Sequence, residues 1–392
     1  MASNLEDIYD RLYAYCEAGD FAGHDPFDGL NSVLFQLTPL KHVRLARLAW
    51  LQLVKRSPVD LRGVLRVEKG VNPKGVALFA LAELSRFRAT GDQEYGRNAR
   101  LLMQRLLATK ISGETADGRS TTAFGYNFDW QSRHFFAPRG TPAIVPTAFA
   151  ARALIEAYEA FGDQQYLDAA KEICTFILTE LERTAQADGE ISFSYTPVDS
   201  SVIYNASLLA GETLARVGGI IANCEYTDLA ARTARFVMRR QRDDGSWTYG
   251  EAANQQWIDN FHTAYILMSL KTIGGSISDL RSEISKSVDR GLSYWLDNFF
   301  LTDGAPKYYS DKVYPIDIHA CAVAIVGLCE FGRTDLARIT AEWTFANMLD
   351  RDGYFYYQVR SNRVVKTPFM RWGQAWMAYA IAKLLEGKGR NN

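Results

Sequence analysis

Cysteine is scarce in this chain and poorly placed for pairing. Cys16, Cys174, Cys224, Cys321 and Cys329 are scattered, odd in number and include no C-x-x-C pair. A disulfide framework and a cysteine-held zinc are not expected, and the pattern reads as reduced, mostly buried thiols in a cytosolic protein. A surplus of charge is also lacking: 44 Lys plus Arg stand against 45 Asp plus Glu, for a net charge of -1. Nucleic-acid binders usually carry a basic excess on one face, so no nucleic acid is expected as a partner. No uninterrupted apolar run reaches the roughly 18 residues that would indicate a transmembrane segment. The opening stretch "MASNLEDIYDRLYAYCEAG" has neither the basic nor the apolar region of a secretory signal, which predicts a cytoplasmic protein. No H-E-x-x-H spacing occurs, and neither a metal nor a cofactor is expected.

What the chain does have is repetition. "ATGDQEY" (89–95) returns as "AFGDQQY" (160–166), with Gly91 and Gly162 lying 71 positions apart. Asp-Gly pairs punctuate it at 117–118, 188–189, 244–245, 303–304 and 352–353. Between these marks the periodicity is helical. "RTDLARITAEWTFANML" sets Leu336, Ile339, Trp343 and Ala346 on one stripe, as in a surface helix, whereas "HACAVAIVGLC" is apolar nearly all round, as in a helix buried on both sides. Gly91 and Gly162 look like helix-ending glycines, with Asp92 and Asp163 capping the helices that follow.

The predicted unit is therefore a buried helix, a Gly-Asp turn, an outer amphipathic helix, an Asp-Gly turn and a longer aromatic loop. Inner helices are expected to begin near 73, 143, 200, 255, 314 and 367. Outer ones are expected at about 39–55, 93–109, 163–183, 226–241, 279–298 and 333–349. Six of each predict an all-α fold, an (α/α)6 toroid in one domain over 1–392, with an additional N-terminal helix within 1–20 and short hairpins such as "GEISFSYT" in the loops. The long loops that run into inner-helix N-termini then share one end, where function is expected to sit.

Chemistry-bearing residues gather in those loops. Asp259 and His262 stand at i and i+3 on one helical face, suited to a general acid–base pair, with Glu251 or Tyr249 at hand. Asp317 and His319 offer a second such pair. In each pair the aspartate could equally be only a helix cap and the histidine a core residue. Asp129, Arg133, Arg139, Arg360 and Arg371 could meet polar and carboxylate groups of a substrate. Trp130, Trp247, Trp257, Trp372 and Trp376 could stack on sugar faces, line an isoprenoid site or simply pack the rim, and Tyr204 is one of several loop tyrosines that could bind a uronic acid and serve as an alternative acid or base.

Two resemblances follow. "FVMRRQRDDGSW" (236–247) resembles the Q-W repeat of squalene-type terpene cyclases through Phe236, Val237, Gln241, Gly245 and Trp247. The resemblance implies a structural tie between outer helices, and the cyclases' D-x-D-D acid motif is absent. "DPFDGLNS", "FDWQSRHFFAPRGTP", "IDNFHTAYIL", "YPIDIHA" and "RWGQAWMAYAIAKL" together resemble a bacterial family encoded with polysaccharide-biosynthesis genes. The last segment is also similar to a helix of unsaturated glucuronyl hydrolases that lines their sugar cavity. That implies sugar-facing positions for Arg371, Trp372, Gln374 and Trp376. The expected function is an enzyme acting on a uronic-acid-containing polysaccharide or oligosaccharide, in its biosynthesis or modification, by hydrolysis, β-elimination or epimerisation. An isoprenoid-binding or cyclase-like protein and a non-catalytic glycan scaffold are the alternatives, and a membrane-associated biosynthetic complex stays open as its setting.

Overall fold

The computed structural model describes residues 2–132, 135–185 and 188–389. In chain order its helices are α1 (Ala2–Ala18), α2 (Val33–Gln36), α3 (Arg44–Arg56), α4 (Pro73–Thr90), α5 (Gln93–Leu107), α6 (Ile144–Phe161), α7 (Gln164–Thr179), α8 (Tyr204–Ile221), α9 (Cys224–Arg239), α10 (Asn260–Ser276), α11 (Arg281–Phe299), α12 (Ile318–Glu330), α13 (Thr334–Met348) and α14 (Ala375–Gly389). Helices α4, α6, α8, α10, α12 and α14 each pack on the next, and α14 packs on α4, so the inner ring closes. The toroid is thus an (α/α)6 barrel, with α5, α7, α9, α11 and α13 each backing their own inner helix.

Burial explains the division. Every residue of α12 from Ile318 to Leu328 is buried, as is every residue of α4 from Pro73 to Arg86. Helices so apolar are stable only between two layers. In α5 the buried positions are Gly96, Ala99, Leu102, Met103 and Leu106, a single stripe at helical spacing. The stripe expected on α13 is turned by one position. Ala337, Thr340, Ala341, Thr344 and Met348 face inward, the four small side chains admitting close packing, while Ile339 is exposed and covers Gly304. Gly91 and Gly162 end their helices with positive φ, and Asp92 caps α5. Asp163 makes no cap bond; its carboxylate accepts from Arg100 on α5 at 2.6 Å.

The Q-W segment lies in this scaffold. The Gln241 amide donates to the carbonyls of Gly245 and Ser287, both at 2.9 Å, and accepts from the Ser287 hydroxyl at 2.8 Å and Arg290 at 2.6 Å. The Trp247 indole donates to Val237 O at 2.9 Å and packs against Gly291, where a Cβ would stand 2.5 Å from its ring. Gly245 has φ +89°, and a Cβ there would meet Arg290 O at 2.5 Å. One glutamine therefore ties the end of α9 to α11. Gln241→Ala is expected to cost about 1–3 kcal/mol, read as a lower urea midpoint, because it strands buried partners; the folded fraction should bind ligand as before.

One predicted outer helix is elsewhere. The helix expected at 39–55 exists as α3, but it does not join the ring. The chain leaves the toroid at Ala22–Gly23 and returns through the antiparallel partner Gly70–Val71, and residues 24–69 between them form a cap. A small core of Leu30, Phe35 and Leu51 holds this cap, with Trp50 stacked on Phe35 at 5.0 Å. Its root is polar: buried Arg62 donates to Asp28 at 2.7 Å and to Asp25 O at 2.8 Å. The sixth outer position is taken by α1, which packs on α14 and donates from Tyr9 to Glu83 of α4. The amphipathic pattern identified both helices; which of them closed the ring depended on contacts far away in sequence.

Candidate functional site

The loops that enter the inner-helix N-termini surround a cavity of about 800 Å3, and the cap helix α3 closes one side of it. On the wall is the start of α10. Asp259 caps that helix: one carboxylate oxygen accepts from the backbone N–H of His262 at 2.9 Å. The other accepts from the Trp257 indole at 2.9 Å and meets His262 Nδ1 at 2.7 Å. An aspartate so placed holds the Nδ1–H tautomer and leaves Nε2 as the basic nitrogen. His262 lines the cavity with its side chain one-fifth exposed, and its Nε2 has no protein hydrogen-bond partner among the described residues. Tyr249 flanks it, stacked on Trp257 at 4.5 Å and 4.6 Å from the His262 ring. Burial pushes the Tyr249 phenol far up, so it stays protonated.

The second aspartate–histidine pair is built differently. Asp317 caps α12 through the His319 backbone N–H, but its oxygens are otherwise taken by the Trp372 indole at 2.8 Å and the Gln358 amide at 2.7 Å. His319 Nδ1 instead donates to Trp372 O at 3.0 Å, and Nε2 accepts from Tyr265 at 2.9 Å. Residues three apart lie about 60° apart around a helix and those two apart about 160°, which is why only the first pair joins side chain to side chain. Burial, then the nearby Lys74, holds His319 well below the usual imidazole range. His319 lines the cavity as a neutral brace with both ring nitrogens engaged, and Asp317 lies behind the lining.

Burial raises the Asp317 carboxyl to about 6, against the hydrogen bonds that lower it. The folded state then holds this proton more tightly than the unfolded chain. The associated stability is complete below 3.8, the ordinary value, and is lost as pH rises through about 6. Across that window wild type should lose stability relative to Asp317→Asn, by the order of 2–3 kcal/mol when ionisation is complete. Thermal melts of the two proteins against pH test it.

Two lysines at this site escaped the sequence reading. Lys74, in the first turn of α4, is 2% exposed and stands over the faces of Phe149 at 4.1 Å and of Tyr265 and Trp376 at 5.3 Å each. Lys55 on α3 stands over Phe27 at 3.9 Å. Neither forms an ion pair with a carboxylate among the described residues. Burial lowers both, Lys55 to about 8 and Lys74 well below the lysine range, the latter helped by Arg371 and Arg152. A lysine in the first turn of a helix whose next eight residues are apolar was the available signal for Lys74. Lys55 was hidden by the assignment of its helix to the outer ring.

The remaining expected residues divide by position. Trp130, Trp257, Arg371 and Trp372 line the cavity. Arg371 and Trp372 sit on a π-helical turn, Met370–Gln374, that leads into α14. The Arg371 guanidinium is bidentate on Asp25 at 2.6 and 2.8 Å, so the carboxylate it neutralises is the protein's own. Gln374 braces the Phe355 backbone through both amide atoms at 2.8 Å, and Trp376 lies buried under the lining against Tyr265. Tyr204 is buried beside Phe236, away from the cavity. Asp129 accepts from the Arg139 backbone at 2.7 Å and from Gln36 of the cap at 3.3 Å, and Arg139 is exposed. Arg360 bonds Gln358. Glu251 sits on the rim, paired with Arg240 at 2.6 Å, because the loop turns its side chain outward. Arg133 lies outside the described residues. The carboxylates that do line the cavity, among the described residues, are Asp259 and the exposed Asp311. Among the described residues no three His, Cys, Asp or Glu side chains gather as a metal site.

Several solved structures share this fold. The cellobiose 2-epimerase of Bacillus thermoamylovorans is 13% identical with a TM-score of 0.61, covering 83% of this chain and 90% of that one. A GH76 α-mannanase of Bacteroides thetaiotaomicron is 16% identical with a TM-score of 0.59, over 82% and 88%. An unsaturated glucuronyl hydrolase specific for heparin is 14% identical with a TM-score of 0.57, over 82% and 88%. At such identities the likeness is one of fold. No family model matches the sequence, and no curated protein does.

Proposed function

We propose that this cavity removes a proton from the sugar of an anionic oligosaccharide or polysaccharide, with His262 Nε2 as the base. The observation that carries the reading is the Asp259–His262 pair, with one ring nitrogen held and the other facing the cavity. Aromatic walls suit sugar faces, and the unpaired Lys55 and Lys74 suit a carboxylate. On a uronate, His262 takes the C5 proton and the electron pair moves into the carboxylate, which Lys55 stabilises as a cation and Lys74 as a hydrogen-bond donor. Cleavage of the C4–O bond, with the leaving oxygen protonated by the imidazolium or by the neighbouring Tyr249 phenol, then completes β-elimination, while return of a proton to the opposite face completes epimerisation. Carboxylate-driven hydrolysis is less well served. It uses two carboxyl groups across the bond, whereas Asp259 is engaged three times and Asp311 is exposed.

A neutral reducing disaccharide epimerised at C2 is the second reading, since the base would act equally beside an aldehyde; the cellobiose 2-epimerase of the same fold favours it. A prenyl occupant has less support, because the Q-W segment is spent on joining α9 to α11. Five free cysteines fit a reducing, cytoplasmic setting, and polysaccharide biosynthesis or modification fits the substrate class.

Incubation with uronate oligosaccharides and with cellobiose in heavy water decides among these. Deuterium at C5 or an unsaturated uronate supports the first reading, and deuterium at C2 of the reducing sugar supports the second. New reducing ends without deuterium uptake would make it a hydrolase. Binding with neither outcome would make it a scaffold.

A further inference from the structure

The outer face of the cap is unlike the rest of the surface. Of seventeen large hydrophobic side chains exposed among the described residues, nine lie between Val33 and Val64, with Leu37 at 79% and Leu45 at 75%. Helix α3 shows how this arises. Leu51 and Val54 turn inward, while Leu45, Ala49 and Leu53 stand outward at i, i+4 and i+8. A helix that faced only water would be polar along that line.

Charge singles out the same segment. From Gly29 to Val59 the sequence contains no aspartate or glutamate, but it contains Lys41, Arg44, Arg47, Lys55 and Arg56. In a chain of net charge -1 that is a strong local bias. Arg47 and Lys55 turn inward, to Gln131 and to the cavity, leaving Arg44, Arg56 and the following Arg66 exposed among the leucines. Exposed leucines beside cations, with Asp60, paired to Arg62, the one acid between Val33 and Arg66, match the headgroup layer of an anionic membrane. A second copy of this chain would set cations against cations across a two-fold axis.

We propose that the cap's outer face docks peripherally on an anionic lipid bilayer, with Leu37, Leu45 and Leu53 below the headgroups and Arg44 and Arg56 against phosphate. No helix among the described residues is long and apolar enough to cross a membrane, so the contact is interfacial. The inner side of the same cap lines the cavity through Leu48, Leu51 and Lys55. Docking therefore sets the cavity beside the bilayer. If the sugar reading holds, a glycan carried on a membrane lipid becomes the favoured substrate form.

The test is co-sedimentation of the full chain with vesicles of equimolar phosphatidylglycerol and phosphatidylcholine, against phosphatidylcholine alone. Binding to the anionic vesicles should be at least about tenfold tighter and should weaken with salt. Leu45→Gln with Leu53→Gln should reduce it about tenfold or more at an unchanged melting temperature. Arg44→Gln with Arg56→Gln should reduce the preference for the anionic lipid. Failure to sediment with either vesicle, or undiminished binding by the leucine variant, overturns the proposal. A concentration-dependent dimer abolished by the leucine variant also overturns it, and makes the face a self-interface. No sugar enters these measurements, so their failure leaves the His262 reading intact, and the reverse.

Discussion

His262→Ala is expected to lower turnover by about 10²–10⁴-fold, the range over which a positioned general base contributes. The melting temperature should move little, since the ring is one-fifth exposed at a cavity wall and Asp259 still caps α10 in its absence. Asp259→Asn separates orientation from basicity. Asparagine keeps an oxygen for the helix cap, but it no longer carries the charge that holds Nδ1–H and supports the imidazolium. Its turnover should fall by a comparable factor at a small stability cost. Glu251→Gln, on the rim and paired with Arg240, should leave turnover near wild type. Steady-state rates with whichever sugar takes up deuterium, and a melt of each variant, supply the comparison. Wild-type turnover in His262→Ala would end the proposal that this ring is the base.

Asp25→Ala is expected to be the most destabilising single change considered, at about 3–5 kcal/mol, because it leaves a buried charge without its partner. Asp25 and Arg371 have side chains only 5% exposed and are joined by two short hydrogen bonds. The same carboxylate accepts the Phe27 N–H at 3.0 Å, so it also sets the turn that starts the cap. Against a total stability of about 5–15 kcal/mol, such a loss leaves a marginal protein. The double change Asp25→Leu with Arg371→Met should recover most of the loss, since removing both members of a buried pair is often close to neutral. Urea denaturation of wild type, single and double variants measures it. Equal destabilisation of the single and double variants would show that the charge pair is not the cause. The double variant should still lose ligand affinity, because Arg371 lines the cavity.

The arrangement of helices was largely legible. Inner helices begin at Pro73, Ile144, Tyr204, Asn260, Ile318 and, after a π-turn, Ala375, within several residues of the starts read from periodicity and punctuation. That reading works because burial on one side or both leaves its mark in every turn of the helix itself. The site was legible in part. Asp259 with His262 stood out through spacing, and Trp130, Trp257 and Trp372 through their loops, and all of them reach the cavity. Gln374, Tyr204 and Asp129 stood out by the same signs, yet their side chains bond the protein's own backbone or core.

By itself the sequence determined the helical repeat, the alternation of buried and one-sided helices, the turns that separate them and the i, i+3 pairing of Asp259 with His262. Each is written within a few residues of chain, where helical geometry converts spacing directly into position. Only the tertiary structure decided that α1 closes the outer ring while α3 becomes a cap, that Asp25 neutralises Arg371 from 346 positions away, and that Lys55 and Lys74 line one cavity. These depend on closing the ring, which joins residues that share no local pattern. Spacing could present two aspartate–histidine pairs as equals. The position of Trp372 and Tyr265, brought in from other helices, made one of them a brace and left the other facing open space.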